Sequence, residues 1–303
     1  AVMTAFAQNL RPLSIAELFD RSFRLYRQNF GTFLGIVALT QLPLFAFQLI
    51  LLMTQGASTA DLAEFSDVLE GPVSLLAILH IIVSTLFTQI GAAALTRAIS
   101  DNYLGRQVST LSAFQRIGRS WLTLILALMV AGLVIGATAV PFILVFFIPC
   151  IGQVVGFAGA VAVMLMGIVL TSLVTPVVVL EKKSAGEATR RAWELAKKRM
   201  GWILGYLILL GLFSNLTIDG PTILLQSLFN YLAGNANLMT QSIVQQTGNL
   251  LFSALFLPIE LTAITLMYFD LRIRFEGFDL LVLAETGDST LVDASDLTSK
   301  TSL

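Results

Sequence analysis

Six apolar stretches, residues 31–53, 73–96, 121–147, 153–180, 202–218 and 248–269, dominate this chain and restrict what it can fold into. A helix needs about 20 mostly apolar residues to cross the hydrocarbon of a bilayer. Backbone groups in lipid find no water to bond, so such stretches must be helices rather than open strands. The fifth is short, and the amphipathic segment Pro221–Leu232 either completes it or lies flat at the surface. A mean hydropathy of +0.84 with 12% charged residues leaves too little polar surface to clothe a water-exposed globule. The expected fold is therefore all-α, a polytopic integral membrane protein whose six transmembrane helices form three hairpins.

The cations sort to one side of these spans. Arg11, Arg21, Arg24 and Arg27 precede the first, and Arg97, Arg106, Arg116 and Arg119 lie around the link between the second and third. Seven more, Lys182, Lys183, Arg190, Arg191, Lys197, Lys198 and Arg199, lie between the fourth and fifth, while Arg272, Arg274 and Lys300 follow the sixth. These are all 18 lysines and arginines. The three opposite connections hold only acids, among them Asp61, Glu64, Asp67, Glu70 and Asp219. The positive-inside rule then puts both termini in the cytoplasm, as an even number of spans also requires. The first 30 residues lack the apolar core of a cleavable signal peptide, so the first span is expected to act as the targeting signal.

Amphipathic helices precede the first, third and fifth spans. In "SIAELFDRSFRLYRQNFG" (14–31), Ile15, Leu18, Phe19, Phe23, Leu25, Tyr26 and Phe30 share one arc of a helical wheel. Ser14 and Glu17 make a capping-box pattern, and Glu17–Arg21 and Asp20–Arg24 are i,i+4 pairs. Such a helix is expected in the interface, with Arg21, Arg24, Arg27 and, from the second copy, Arg190, Arg191, Lys197 and Lys198 on anionic headgroups. That copy, "SAGEATRRAWELAKKRMG" (184–201), repeats Ser14, Glu17, Arg21, Leu25 and Gly31 at a shift of 170 residues, and "STLSAFQRIGRSW" (109–121) is a shorter version. The chain reads as three parallel units, about 13–98, 99–180 and 184–280, within a membrane domain of residues 1–283. Residues 284–303 form an acidic, Ser/Thr-rich tail expected to be mobile.

The segments "ELFDRSFRLYRQNFGTFL" (17–34), "YLGRQVSTLSAF" (103–114), "VVVLEKKSAGEATRRAWELAKKRMGWILG" (177–205) and "YFDLRIRFEGFDL" (268–280) resemble the glycerophosphodiester phosphodiesterase membrane-domain family and its uncharacterised prokaryotic six-span relatives. The resemblance implies a multi-pass protein of the prokaryotic plasma membrane. In some members that region joins a soluble phosphodiesterase barrel. No segment here matches such a barrel, so the resemblance implies no phosphodiesterase activity and supplies no catalytic residues.

Glu260 is the one acid well inside an apolar span, two residues after Pro258. An ionised carboxylate is costly at that depth, so it must be protonated, paired or facing a wet cavity. It is a proton or cation site, or a protonated hydrogen bonder that glues helices together. His80, Gln41, Gln48 and Gln89 are its candidate partners, and His80 has the same two readings. Pro43, Pro141 and Pro176 also interrupt spans, and the pairs Gly31/Gly35, Gly132/Gly136, Gly152/Gly156 and Gly201/Gly205 permit close helix approach. "YFDLRIRFEGFDLL" continues the sixth span as a helix ending at Gly277, with an extended exit strand as the alternative.

One cysteine and one histidine exclude a Cys/His metal cluster, and no cofactor is expected. A net charge of −1 gives no field that favours nucleic acid. No nucleophile–base set is evident beyond His80 with a membrane serine, so an enzyme is not expected. The expected function is a non-enzymatic membrane scaffold or accessory subunit, contacting anionic lipid and a protein partner or a second copy. The alternative is a small-solute or proton- or cation-coupled transporter working through Glu260.

Overall fold

A computed structural model describes residues 13–55, 72–104, 109–234 and 237–277. The expected tail, Arg11, Arg106, Lys300 and the acids Asp61 to Glu70 lie outside these residues. Every regular element among the described residues is helical. Six helices are long and apolar enough to cross a membrane: Phe30–Met53, Ile78–Tyr103, Ser120–Phe146, Ile151–Glu181, Met200–Ala233 and Met239–Glu276. In full the elements run α1 (Ile15–Gln28), α2 (Phe30–Gln55), α3 (Pro72–Tyr103), α4 (Thr110–Ile117) and α5 (Ser120–Phe146), then α6 (Ile151–Glu181), α7 (Ala185–Ala196), α8 (Met200–Ser214), α9 (Gly220–Ala233) and α10 (Leu238–Glu276).

The fifth span is α8 and α9 in series, joined by a π turn at Asn215–Asp219. Pro221 has no N–H to give a helical bond, and the wider turn carries the helix past it. The amphipathic segment thus completes the span. The exit of the sixth span is helical as far as Glu276, with Gly277 at φ 60° closing it in the left-handed region. Both expected pairs form there, Asp270–Arg274 at 2.7 Å and Arg272–Glu276 at 3.2 Å.

The spans pack through small residues. Ala93, Ala94 and Ala98 of α3, Ala127 and Ala131 of α5, and Gly152, Gly156 and Gly167 of α6 are buried. Lipid tails are as apolar as leucine, so helices associate in a bilayer by close contact rather than by escape from water. At Gly156 the backbone of α6 approaches α5 so closely that a Cβ would stand 2.6 Å from the Phe146 backbone and 2.7 Å from the Phe142 carbonyl oxygen. Gly132, Gly136, Gly201 and Gly205 touch nothing, so only some of the paired glycines serve close approach.

Each short helix before an odd-numbered span starts at a serine cap. Ser14 and Glu17 exchange bonds ahead of α1, Ser109 and Ser112 ahead of α4, and Ser184 and Glu187 ahead of α7. Bonds from Ser184 hold the Glu187 carboxyl below its ordinary range and keep it ionised for the cap. The apolar faces of these helices are covered by protein only in part, since Phe23 of α1, Phe30 just after it and Leu111 of α4 stay exposed. On α1, Leu18, Ser22 and Tyr26 are buried. Phe19 packs on the rings of Tyr206 and Phe213, and Phe23 packs on Phe213. The Tyr26 hydroxyl donates to the Leu255 carbonyl of α10 at 2.7 Å, and burial pushes its phenol above the usual value, so it remains a donor. Part of the apolar stripe of α1 thus meets α8 and α10, while Phe23 and the following Phe30 keep an open side.

Carboxylates at the ends of the even-numbered spans hold these helices. Asp101 of α3 pairs with Arg116 of α4 at 3.1 Å and with Arg97 at 3.3 Å. Glu181 of α6 pairs with Arg191 of α7 at 3.2 Å and with Lys183 at 3.1 Å, and accepts from the Tyr268 hydroxyl at 2.8 Å. Asp270 of α10 accepts from the backbone N–H of Leu13 at 2.7 Å, and its partner Arg274 donates to the Leu13 carbonyl at 2.6 Å. The acid closing one span thus fastens the helix that opens another, and α10 reaches back to α1.

Replacing Gly156 by Ala is expected to cost about 1–3 kcal/mol through the forced separation of α5 and α6. Gly205→Ala, with open space around it, is expected to be neutral or to stabilise by up to about 1 kcal/mol through helix propensity. Thermal unfolding of both variants in one detergent checks the contrast.

Candidate functional site

The polar residues of the spans gather in two separate places. The first is a partly open cavity of about 300 Å³ between α2, α3 and α10. From α2 come Gln41 and Gln48, one face of a helix at i and i+7, with Phe45 and Leu44 between them. His80 enters from α3, its Nε2 3.5 Å from the Gln48 side-chain nitrogen, with the Phe47 ring 6.2 Å away between centroids. The third wall is the first half of α10, which contributes Ser242, Gln245, Gln246, Asn249 and Ser253. These follow helical spacing too, with Gln245 and Asn249 exposed at the open side. The Gln246 Oε1 atom is buried there and meets no hydrogen-bond donor.

The cavity lies away from the cation-bearing end. At 1.5 Å per residue, His80 is roughly 35 Å along α3 from Tyr103, and Ser253 is roughly 35 Å along α10 from Glu276. None of its lining residues is a carboxylate, lysine or arginine.

Glu260 stands elsewhere. Half-buried on α10, it accepts a hydrogen bond at 3.2 Å from the hydroxyl of Ser214, the last residue of α8 before the π turn. Exposed Asp219 closes that turn. Pro258, one half-turn earlier, cannot donate to the Ala254 carbonyl, and the Tyr26 hydroxyl occupies the neighbouring Leu255 carbonyl. Thr262 donates to the Pro258 carbonyl at 2.6 Å. Side-chain hydroxyls thus add bonds to carbonyls on either side of the one the proline leaves open.

The expected set is therefore divided. Gln41 and His80 share the cavity, whereas Glu260 belongs to the α8–α10 contact and Gln89, half-buried further along α3, does not line the cavity. The physical reason is register. Here register means axial position: Glu260 shares the helix face of Ser253 at i+7 but lies about two turns beyond it, past Pro258, where it meets Ser214 of α8. The residues missed from sequence, Ser242 to Ser253, fall partly before the apolar window 248–269. Their signal was the run "QSIVQQTGNLLFS", whose polar positions 242, 245/246, 249 and 253 mark one helix face.

The expected headgroup contacts are also divided. Arg191 is drawn inward, 20% exposed, between Glu181 and Glu276, and so serves the fold rather than a surface. The Arg21 guanidinium lies 5.0 Å from the centroid of the Tyr103 ring. Arg24, Arg27, Arg190, Lys197 and Lys198 remain exposed, Arg24 and Arg190 with partial i,i+4 partners in Asp20 and Glu194. No group of three or more potential metal ligands occurs among the described residues.

Comparison with known proteins places residues 32–271 in a match to a domain of unknown function, DUF7847. That finding supports only the coarser part of the resemblance, an uncharacterised family. No curated protein and no solved structure matches the chain.

Proposed function

We propose that this chain, which belongs to the DUF7847 family, is a non-enzymatic scaffold or accessory subunit in the plasma membrane of a prokaryote. Kinship with the glycerophosphodiester phosphodiesterase membrane-domain family is part of the same reading, as is its descent from three parallel repeated units. Both termini face the cytoplasm in this account, because the described cations cluster on α1, α4, α7, the adjoining junctions and the last turns of α3 and α10. The single observation that supports the scaffold reading most is the collar these helices make. Its inner charges are spent in fastening helices to spans, while Arg24, Arg27, Arg190, Lys197 and Lys198 stay outward for anionic headgroups and a protein partner or second copy.

The alternative, a transporter coupled to protons or cations, draws on Glu260 beside Pro258 and the π turn. Its support is weaker, since Glu260 bonds Ser214 in a helix contact away from His80 and the glutamines.

Each cation near an anionic surface is worth about 1 kcal/mol, or about fivefold in affinity. Native mass spectrometry from nanodiscs of mixed phosphatidylglycerol and phosphatidylcholine is expected to show preferential retention of phosphatidylglycerol. Arg24→Gln, Arg27→Gln, Lys197→Gln and Lys198→Gln together are expected to abolish that preference. Equal retention of both lipids, or an unchanged preference in the quadruple variant, contradicts the headgroup role.

The orientation has its own test in Cys150, the single cysteine, exposed in the turn between α5 and α6 at the far end. A membrane-impermeant maleimide is expected to label it in intact cells. With Cys150→Ser, a cysteine at Gly186 on α7 is expected to react only after permeabilisation. The reverse pattern inverts the topology.

A further inference from the structure

We propose that the amide-lined cavity between α2, α3 and α10 binds a neutral, polyhydroxylated group, the sugar headgroup of a glycolipid or a free sugar of the same chemistry. At about 300 Å³ it holds the volume of roughly ten waters and lies at the lower end of small-molecule sites.

Its chemistry selects the ligand. Gln41, Gln48, Gln246 and Asn249 each offer both a donor and an acceptor, which suits hydroxyls, themselves donors and acceptors. Phe45 gives one apolar wall of the kind that the C–H face of a sugar ring covers. Among the described residues no carboxylate, lysine or arginine lines the space, so a phosphate or ammonium would meet no counter-charge from them. Gln48 sits beside His80, so two walls are already oriented toward each other before a ligand arrives.

The location favours a ligand from the leaflet or solution opposite the cation-bearing end, because the lining residues fall in the halves of α3 and α10 remote from Tyr103 and Glu276. The proposal is independent of the scaffold reading, which concerns the other end of the bundle.

The test uses the full chain in phosphatidylcholine nanodiscs, with thermal unfolding as the readout. Three additions are compared: diglucosyl diacylglycerol in the bilayer, free maltose in solution, and phosphatidylglycerol in the bilayer. A ligand well above its Kd is expected to raise the midpoint by at least about 4 °C. A rise with the glycolipid alone identifies a lipid source, and a rise with maltose identifies a soluble one. Either rise is expected to vanish in Gln246→Leu, which keeps the side chain's bulk but removes the amide. If that variant fails to fold, Ser253→Leu fills the cavity from the same helix and is expected to have the same effect. No rise with either sugar overturns the proposal. So does a rise that survives in the variant, or an equal rise with phosphatidylglycerol that the variant removes.

Discussion

Three carboxylates hold this structure's ends in place. Asp101, Glu181 and Asp270 each close an even-numbered span, and each engages the short helix that opens an odd-numbered one. A carboxylate side chain as buried as that of Asp101 or Asp270, at 2% and 0% exposure, is stable only when its lone pairs are taken. Its partners are therefore fixed in position, and with them the helices that carry those partners. Removing one member of such a buried pair typically costs about 3–5 kcal/mol, because the other charge is left uncompensated. Since Asp270 grips the residue just before α1, the last span is tied to the first helix, and the three contacts together run from one end of the described chain back to the other.

Much of this architecture is legible in the sequence because lipid imposes a simple rule on composition. The six apolar windows fall within six helices, and the serine caps stand where Ser14, Ser109 and Ser184 indicate. What the sequence conceals is which partner covers an amphipathic face. The stripe Leu18, Phe19 and Tyr26 fits a lipid surface or a helix groove equally well, since both are apolar. Only the packing of α1 on α8 and α10 decides. The site is concealed for a related reason. Hydropathy windows average over both faces of a helix, so the polar stripe Ser242–Ser253 on the first half of α10 reads as the weak start of a span. Glu260 and His80 are conspicuous as isolated polar residues in apolar runs, yet nothing in one chain's periodicity fixes the depth at which neighbouring helices meet them.

The two ends of the bundle consequently differ in kind. One is crowded with ion pairs and outward cations, and its polar groups are largely consumed in holding helices together. Among the described residues, the other carries amides, serines and His80 around an open space. Charge suits a headgroup-rich surface and a partner, whereas neutral hydrogen-bonding groups suit a ligand without net charge. Between them lie the α8–α10 contact and the turn around Pro258, where Ser214 donates to Glu260, and Thr262 and Tyr26 donate to the Pro258 and Leu255 carbonyls.

Hydrogen exchange of the full chain in nanodiscs tests the fastening of helices by span-end acids most directly. In Asp270→Asn, amides of α1 are expected to exchange faster, by a factor of 10 or more for a loss of about 1.4 kcal/mol or greater, while α4 and α7 stay protected by Asp101 and Glu181. Unchanged exchange in α1, or equal loosening of all three helices, would contradict the account.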